Sequence, residues 1–397
     1  MIRTYKFRMD PTAKQEASLV AMLDDFRFLY NAALEDRKYM WERHRINVTV
    51  RTQDAQLKEI RADNPDYERW SAAAESQTVL RLDKAFQAFF RRIKAGAKRV
   101  GYPRYKAATR FNTAVHRAVT GAKWDSAPHL TQTRAYFKGV GHVKVKQHRH
   151  VVGLVKTLTI KREGRRWYVI LAAEQELQAP LPKTGATIGI DLATGHNGLA
   201  YTSQGERIGN PAYRKASPGK LAEVQQALSR TKQRSNRHRK ARERVSGVYR
   251  KISNQRRDYL HKVSRQLVDS YDVIVAEELN IAGMTRRAVP RPDGAGGYQP
   301  NGGNAKKGLN RSILDAGWGI LLEFIRAKAE SAGRQFIQVN PAYTSQTCSE
   351  CGHREAANRN GKEFLCLSCG HRADADKNAA VNILRAGLVL REAAQAA

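Results

Sequence analysis

The sequence predicts a multidomain α/β protein in which a helical block, a run of alternating strands and a mixed strand–helix region follow one another. Apolar residues recur at helical spacing from about residue 11 to 100, then switch to period-two alternation from about 110 to 178. Beyond residue 186 short buried-type strands alternate with long amphipathic segments. Four cysteines confined to 22 residues near the C-terminus mark a further small element. At 397 residues the chain is long enough for two or three such domains.

Each segment has a local reason. Residues 1–10 alternate basic and apolar side chains and read as a strand ending at Asp10-Pro11. Thr12-Ala-Lys-Gln15 has the form of a capping box, and Leu19, Leu23, Phe26, Tyr30, Ala33 and Leu34 then share one helical face. Polar breaks fall near Asn47 and Asn64-Pro65, and helical patterning stops around Gly96 and Gly101-Tyr-Pro103. "VKTLTIKREGRRWYVILAAE" predicts a hairpin turning near Gly164, with Leu158 and Ile160 continued by Trp167, Val169 and Leu171 on one face. Pro180 and Pro182 mark a linker.

"ATIGIDLATGHNGLAYTSQGERIG" predicts strand, tight turn, strand, then a hairpin at Gln204-Gly205 into a third strand. A single long Arg-rich helical stretch is expected over about 213–268, followed by a buried strand in "DVIVAEELN". Residues 289–308, rich in Pro, Gly and Asn, read as a mobile loop. "SILDAGWGILLEFIRAKAESAG" reads as one amphipathic helix and "RQFIQVN" as a further strand. This order is consistent with an RNase H-like sheet.

Charge narrows the partners. With 70 Lys and Arg against 37 Asp and Glu, the net charge is +33, and a compact chain so charged repels itself unless a polyanion is near. Nucleic acid is the expected partner, bound with strong salt dependence. No apolar run reaches membrane-spanning length, and the opening residues lack the apolar core of a secretory signal. The expected location is therefore the cytoplasm, at the nucleoid, with no membrane partner.

Cys348-x-x-Cys351 and Cys366-x-x-Cys369, 14 residues apart and each pair followed by glycine, have zinc-knuckle spacing. Four thiolates close a tetrahedral shell and leave no position for a reacting water, so this zinc is expected to be structural. His353 and His371 are not needed as ligands. With every cysteine so used no Cys/His nucleophile remains, and the absence of a Walker P-loop excludes ATP-driven work of that class.

Acids stand beside buried strands: Asp191 ends "TIGI", Glu277 and Glu278 end "VIVA", and Asp374 and Asp376 precede a helix. Singly, each has a plain explanation as a solvated strand-end acid or a helix cap. Together, in so basic a chain, they suit a magnesium site, because clustered carboxylates are costly without cations. Two ions ~3.5–4 Å apart are the arrangement used for phosphodiester hydrolysis.

The set "GIDLATGHNGLAYTS", "VIVAEELNIAGM", "ILDAGWG", "YTSQTCSECG…CLSCG" and "DADKNAAVNIL" resembles TnpB, the transposon-encoded RNA-guided DNA nuclease family. The opening "YKFRMDPTAKQEASLVAMLDDFRFLYNAAL" and "AFQAFFRRIKAGAKRVGYPRYK" are similar to the same family, so the likeness spans nearly the whole chain. TnpB is similar in turn to compact type V CRISPR effectors.

The resemblance implies a wedge β-barrel over 1–10 and 108–180, with a helical recognition lobe inserted at 11–107. It implies a RuvC nuclease domain of RNase H-like fold over 184–341 and 372–397, and a zinc-ribbon target-nucleic-acid-binding insert at 342–371. Carried over position by position, Asp191, Glu277 and Asp376 are the metal-binding catalytic acids, with Asp374 and Glu278 as neighbours.

Its implied partners are a guide RNA, double-stranded target DNA and the displaced single strand, with specificity residing in the guide. Lys84, Arg91, Arg92, Lys98, Tyr102, Arg104, Arg234, Arg237, Arg239 and Arg242 are expected nucleic-acid contacts, and Phe89 and Phe90 are expected in the core. Tyr343, Ser345 and Gln346 are expected to guide the single strand. Ala193-Thr194-Gly195 and Asp374-Ala375-Asp376 depart from the common transposon pattern, which leaves transposon and CRISPR origins both open. A DNA-binding repressor and a DDE-type transposase are the competing classes.

Overall fold

A computed structural model describes the chain except residues 98–99, 127–132, 177–178, 195–197 and 397. The expected tight turn between the first two strands of "ATIGIDLATGHNGLAYTSQGERIG" therefore lies in part outside the described residues. The chain divides into two compact units, Met1–Leu177 and Gln178–Ala397. No helix among the described residues is long and apolar enough to cross a membrane.

In the first unit, strand β1 (Ile2–Asp10) leads into helix α1 (Ala13–His44) through the expected capping box, Thr12 and Gln15 each satisfying the other's backbone N–H. Helices α2 (Val50–Asp63), α3 (Pro65–Glu68) and α4 (Ala72–Lys94) follow. Strands β2 (Thr113–Arg117), β3 (Ala122–Asp125), β4 (Thr133–Phe137), β5 (Gly141–Lys146), β6 (Leu154–Glu163) and β7 (Arg166–Glu174) complete the unit. One antiparallel sheet orders them β2-β6-β7-β1-β5-β4-β3.

The two edge strands β2 and β3 are consecutive in the chain and joined by residues 118–121 alone, so the two edges of the sheet are brought close together. Alternation sends Tyr5, Phe7, Met9, Leu158, Ile160, Trp167, Val169 and Leu171 inward, where Leu19, Met22, Phe26 and Tyr30 of α1 cover them.

The second unit is built on a five-stranded sheet ordered β10-β9-β8-β11-β12. Its strands are β8 (Thr187–Leu192), β9 (Gly198–Thr202), β10 (Arg207–Gly209), β11 (Val273–Glu277) and β12 (Gln335–Val339). The first three pair antiparallel, while β8, β11 and β12 run parallel. Arg334, buried, holds the sheet's starting edge: it pairs with Asp272 and donates to the Pro182 and Val268 carbonyls, while Asp272 accepts from the Thr184 and Gly185 N–H groups.

Two helical expectations are corrected. The Arg-rich stretch is a helical hairpin, α5 (Pro218–Ser229) and α6 (Asn236–Ser270). The Thr231 hydroxyl binds the Leu228 carbonyl at 2.6 Å, and Ser235 caps α6 through the His238 N–H at 3.0 Å. The single amphipathic helix is likewise two, α8 (Gly303–Ala316) and α9 (Trp318–Ala332), parted where Gly317 turns left-handed at φ 76°. Helix α8 begins inside the expected mobile loop, anchored as Lys306 and Asn310 donate to carbonyls of Met284, Thr285 and Arg286 near the short helix α7 (Ile281–Met284).

One face of the sheet, with Ile188, Ile190, Ile274 and Ala276, packs on α6, α8 and α9. The other, with Val273, Val275 and Val339, packs on Ile383 of α10 (Ala375–Ala396). Helix and sheet touch at backbone distance there: a Cβ on Gly189 would lie 2.2 Å from the Ala380 carbonyl oxygen. Between β12 and α10 a three-stranded sheet, β13 (Arg359–Asn360), β14 (Glu363–Leu365) and β15 (Arg372–Asp374), carries the cysteines.

Candidate functional site

Strand alternation fixes where the acids point. Gly189 and Asp191 share a face of β8, Val273, Val275 and Glu277 share a face of β11, and both are the face covered by α10. The parallel register sets Ile190 beside Ala276, so Asp191 and Glu277 leave neighbouring strands at one level. Asp376 lies in the first turn of α10, on the buried stripe that continues through Ala380, Ile383 and Gly387.

Asp374 does what a helix-start acid ordinarily does. Its carboxylate caps α10 by accepting the Asp376 and Lys377 N–H groups at 2.9 and 3.2 Å. Glu278 is exposed.

The acids feel one another's charge, although among the described residues their oxygens do not all draw within 4.8 Å of one another as the cysteine sulfurs do. Burial, then the charges of Glu277 and Asp376, push the Asp191 carboxyl up to about 8, with Arg359 opposing. Burial also raises Glu277, opposed by the Thr344 hydroxyl, which donates to it at 2.6 Å, and by Arg359. Asp376 accepts from Arg359 at 3.0 Å, and Lys362 Nζ lies 3.7 Å from its other oxygen. Lys362 also donates to the Tyr201 hydroxyl at 3.0 Å. A hard, oxygen-only set of carboxylates, with Asp191 and Glu277 raised by burial, fits magnesium.

The four cysteines converge, with all four sulfurs within 4.8 Å of one another. Among the described residues they are the only closed group of metal-ligating atoms. Sγ of Cys348 and Cys369 lie 3.7 Å apart, and those of Cys351 and Cys366 3.6 Å. Tetrahedral zinc with Zn–S bonds of about 2.3 Å needs edges of about 3.8 Å.

The two knuckles repeat one geometry. Cys348 and Cys366 donate to the carbonyls of His353 and His371 at 2.9 Å, and Gly352 and Gly370 take φ of 76° and 74°. The Cys369 N–H holds the Cys366 thiol down to about 6. Cys369, although favoured as thiolate by the His371 N–H, is pushed up to about 12 by the Cys351 thiol, burial and its other neighbours. A coordinated cation deprotonates the thiols that ligate it, which suits four sulfurs so placed. His353 turns instead to Glu355, at 3.1 Å.

Sequence reasoning missed the side chains that join the cysteine element to α10. Asn378 accepts the Ser349 N–H at 2.9 Å and donates to the Thr347 carbonyl at 2.8 Å. Asn382 donates to the Thr344 and Thr347 carbonyls at 2.9 and 2.7 Å. Their spacing of four in "DADKNAAVNIL" is the signal for a shared helix face. Thr344, Arg359 and Lys362 left no comparable signal.

The expected nucleic-acid residues fall on several elements of both units. Lys84, Arg91 and Arg92 are exposed on α4, and Arg104 is exposed beyond it. Tyr102 is exposed, with its ring edge-on to Phe86 and Phe89. Phe90 is 58% exposed, not a core residue, because the face of α4 it shares with Ile93 is uncovered within its unit. Arg234 precedes α6, and Arg237, Arg239 and Arg242 stand exposed along its first turns. Tyr343 is exposed, with Arg354 3.9 Å above its ring, whereas Ser345 and Gln346 are half-buried. Lys98 lies outside the described residues.

Family models match three stretches. Residues 318–383 match "Cas12f1-like, TNB domain", residues 169–288 match "Probable transposase", and residues 1–45 match "Helix-turn-helix domain". This last stretch folds as β1 and the unbroken α1. Over 98% of the chain and 92% of the other, the fold is similar to the "mini-RNA-guided endonuclease CRISPR-Cas_phi3", with TM-score 0.56 and 11% identity.

That likeness defines the fold class as the one shared by compact CRISPR effectors. Across 97% of its length the chain is 32% identical to "Putative RNA-guided DNA endonuclease InsQ" of Escherichia coli (strain K12), covering 92% of that protein. It is 30% identical to a "Putative RNA-guided DNA endonuclease" of Streptomyces pristinaespiralis, covering 97% of this chain and 89% of that one. The chain belongs to the TnpB family.

Proposed function

We propose that the protein is a transposon-associated, RNA-guided DNA endonuclease that hydrolyses phosphodiesters at a magnesium site formed by Asp191, Glu277 and Asp376. The observation that carries this is the convergence of three acids from β8, β11 and α10 on one face of the sheet, with Asp191 raised to about 8 by burial and its acidic neighbours. Two magnesium ions held there would polarise the scissile phosphate and lower the pKa of the attacking water. Asp191 and Glu277 supply oxygen ligands from rigid strand ends, and Asp376 supplies them from a helix start. Arg359 and Lys362 bring positive charge to the same carboxylates from the cysteine element.

In this reading residues 184–341 and 372–397 form a RuvC domain of RNase H-like fold, and 342–371 its zinc-ribbon insert. Residues 1–10 and 108–180 form the wedge barrel, and 11–107 the recognition lobe. The zinc is structural, since four thiolates fill its shell. A net charge of +33 suits a chain holding both a guide RNA and the target duplex with its displaced strand. The protein would work in the cytoplasm, on the nucleoid.

A second reading, a CRISPR effector of the same fold, is favoured by the match of residues 318–383 to the Cas12f1-like model. The chain is also 28% identical over 228 residues to "CRISPR-associated endodeoxyribonuclease Cas12f1" of Sulfoacidibacillus thermotolerans, across 55% of this chain and 50% of that protein. Sequencing the RNA that co-purifies from the native locus separates the two: transposon-end transcripts support the first reading, repeat-derived spacers the second. Asp191→Ala, Glu277→Ala and Asp376→Ala should each abolish magnesium-dependent cutting while target binding persists. Absence of any bound RNA, or cutting by these variants, overturns the proposal.

A further inference from the structure

We propose that Thr344 is a positioning residue: from the turn entering the cysteine element, its hydroxyl fixes the orientation of the Glu277 carboxylate. The inference rests on the metal-site reading above and deepens it. Glu277 is 8% exposed at the end of β11, and its Oε1 accepts the Thr344 hydroxyl at 2.6 Å. That is the length of a charge-assisted O–H···O⁻ bond. The hydroxyl has one proton and a second acceptor within reach, the Pro341 carbonyl at 3.2 Å. The nearer acceptor takes it, which ties down one carboxylate oxygen and leaves the other to face a cation.

The position of Thr344 is set independently of Glu277. Asn340 accepts the Ala342 N–H at 2.9 Å, opening the turn. Tyr343 adopts φ 67°, a left-handed conformation that is strained for a bulky residue and persists only where its surroundings impose it. Here the Gln346 and Thr347 N–H groups bind the Tyr343 carbonyl at 3.0 and 3.1 Å. Asn382 then holds the Thr344 carbonyl at 2.9 Å from α10, the helix that carries Asp376. Thr344 thus links the acid on β11 to the helix bearing the acid of α10. Hydrogen bonds behind a ligating carboxylate are worth about 10–100-fold in metal affinity.

The test is Mn2+ binding to the full-length chain, followed by electron paramagnetic resonance, with zinc content measured alongside. Thr344→Val, which keeps the shape and removes the donor, should weaken Mn2+ binding about tenfold with zinc content unchanged. Thr344→Ser should stay within about twofold of the unaltered chain, since it restores the hydroxyl. Cleavage by Thr344→Val should need more Mn2+ for half-maximal rate yet reach a near-normal maximum. Wild-type Mn2+ affinity in Thr344→Val overturns the proposal, as does an equal loss in the Val and Ser variants. Glu277→Gln separates the two levels: if it binds Mn2+ normally, the metal-site reading itself fails. If Glu277→Gln loses Mn2+ and Thr344→Val does not, only the role of Thr344 fails.

Discussion

The Arg359 guanidinium donates to the Asp376 carboxylate at 3.0 Å, so a strand of the cysteine element rests on an acid of the helix that follows it. The same positive charge lowers Asp191 and Glu277 against the burial that raises them. Replacing it leaves three acids to repel one another with Lys362 as the nearest counter-charge on Asp376. Arg359→Gln should therefore move the rising limb of the cleavage–pH profile to higher pH, by roughly one unit. Single-turnover rates between pH 6 and 9 at fixed magnesium would measure it. An unmoved profile with a lower rate throughout would mean that Arg359 acts on substrate alone.

Asp191 also makes a stability prediction whose sign is opposite to the common carboxylate case. In the unfolded chain its carboxyl titrates at the ordinary value of 3.8, and in the fold it is raised to about 8. Below the unfolded value both states hold the proton and folding pays no penalty. As pH rises toward 8 the unfolded state ionises first, and stability is lost across that window. Asp191→Asn should remove the loss, so that the second unit is more stable than the unaltered chain at pH 8 without magnesium but not at pH 5, while cleavage is abolished. Urea midpoints at pH 5 and pH 8 would test this. Equal pH dependence in both proteins would remove the case for a raised Asp191.

How far the sequence disclosed the molecule depends on where the signal resided. The Thr12–Gln15 capping box, the hairpin of β6 and β7 and the cysteine knuckles are local, and each formed as its residues indicate. The places of Asp191 and Glu277 were legible because each follows a buried apolar run, Asp191 one residue before the end of β8 and Glu277 at the end of β11. The break between α5 and α6 was not, since residues 229–240 carry no apolar side chain to mark it, nor was the one at Gly317, across which helical apolar spacing continues. Helix α8 hid in loop-like composition because its anchors, the Met284, Thr285 and Arg286 carbonyls, are about twenty residues away. Thr344 was invisible for a related reason: one threonine in a polar turn gains meaning only when a remote strand end meets it.

The exposed cations of α6 give a prediction about affinity. Arg237, Arg239 and Arg242 are unburied along its first turns, where they suit phosphates. Replacing all three with Gln should weaken RNA binding and lower the slope of log K against log salt by about 2, the counterion release lost with three contacts on single-stranded RNA. Filter binding across a salt series distinguishes this from loss of fold, which would reduce affinity without a graded change in slope. An unchanged slope would mean these arginines face solvent only.

The cysteine element and the acids should fail together. Asn378 binds the backbone of Ser349, next to Cys348, and sits two residues beyond Asp376 on the same helix. Asn382 holds Thr344, which in turn holds Glu277. Loss of the metal that gathers the thiolates therefore slackens both links to the carboxylates. Cys366→Ser should take bound zinc from one per chain to none, as read by a chromogenic chelator, because three ligands and a hydroxyl hold zinc poorly. Cleavage should fall by at least about tenfold, while RNA binding should persist. A zinc-free variant that still cuts at the normal rate would show that the element serves strand binding alone and lends the acids no support.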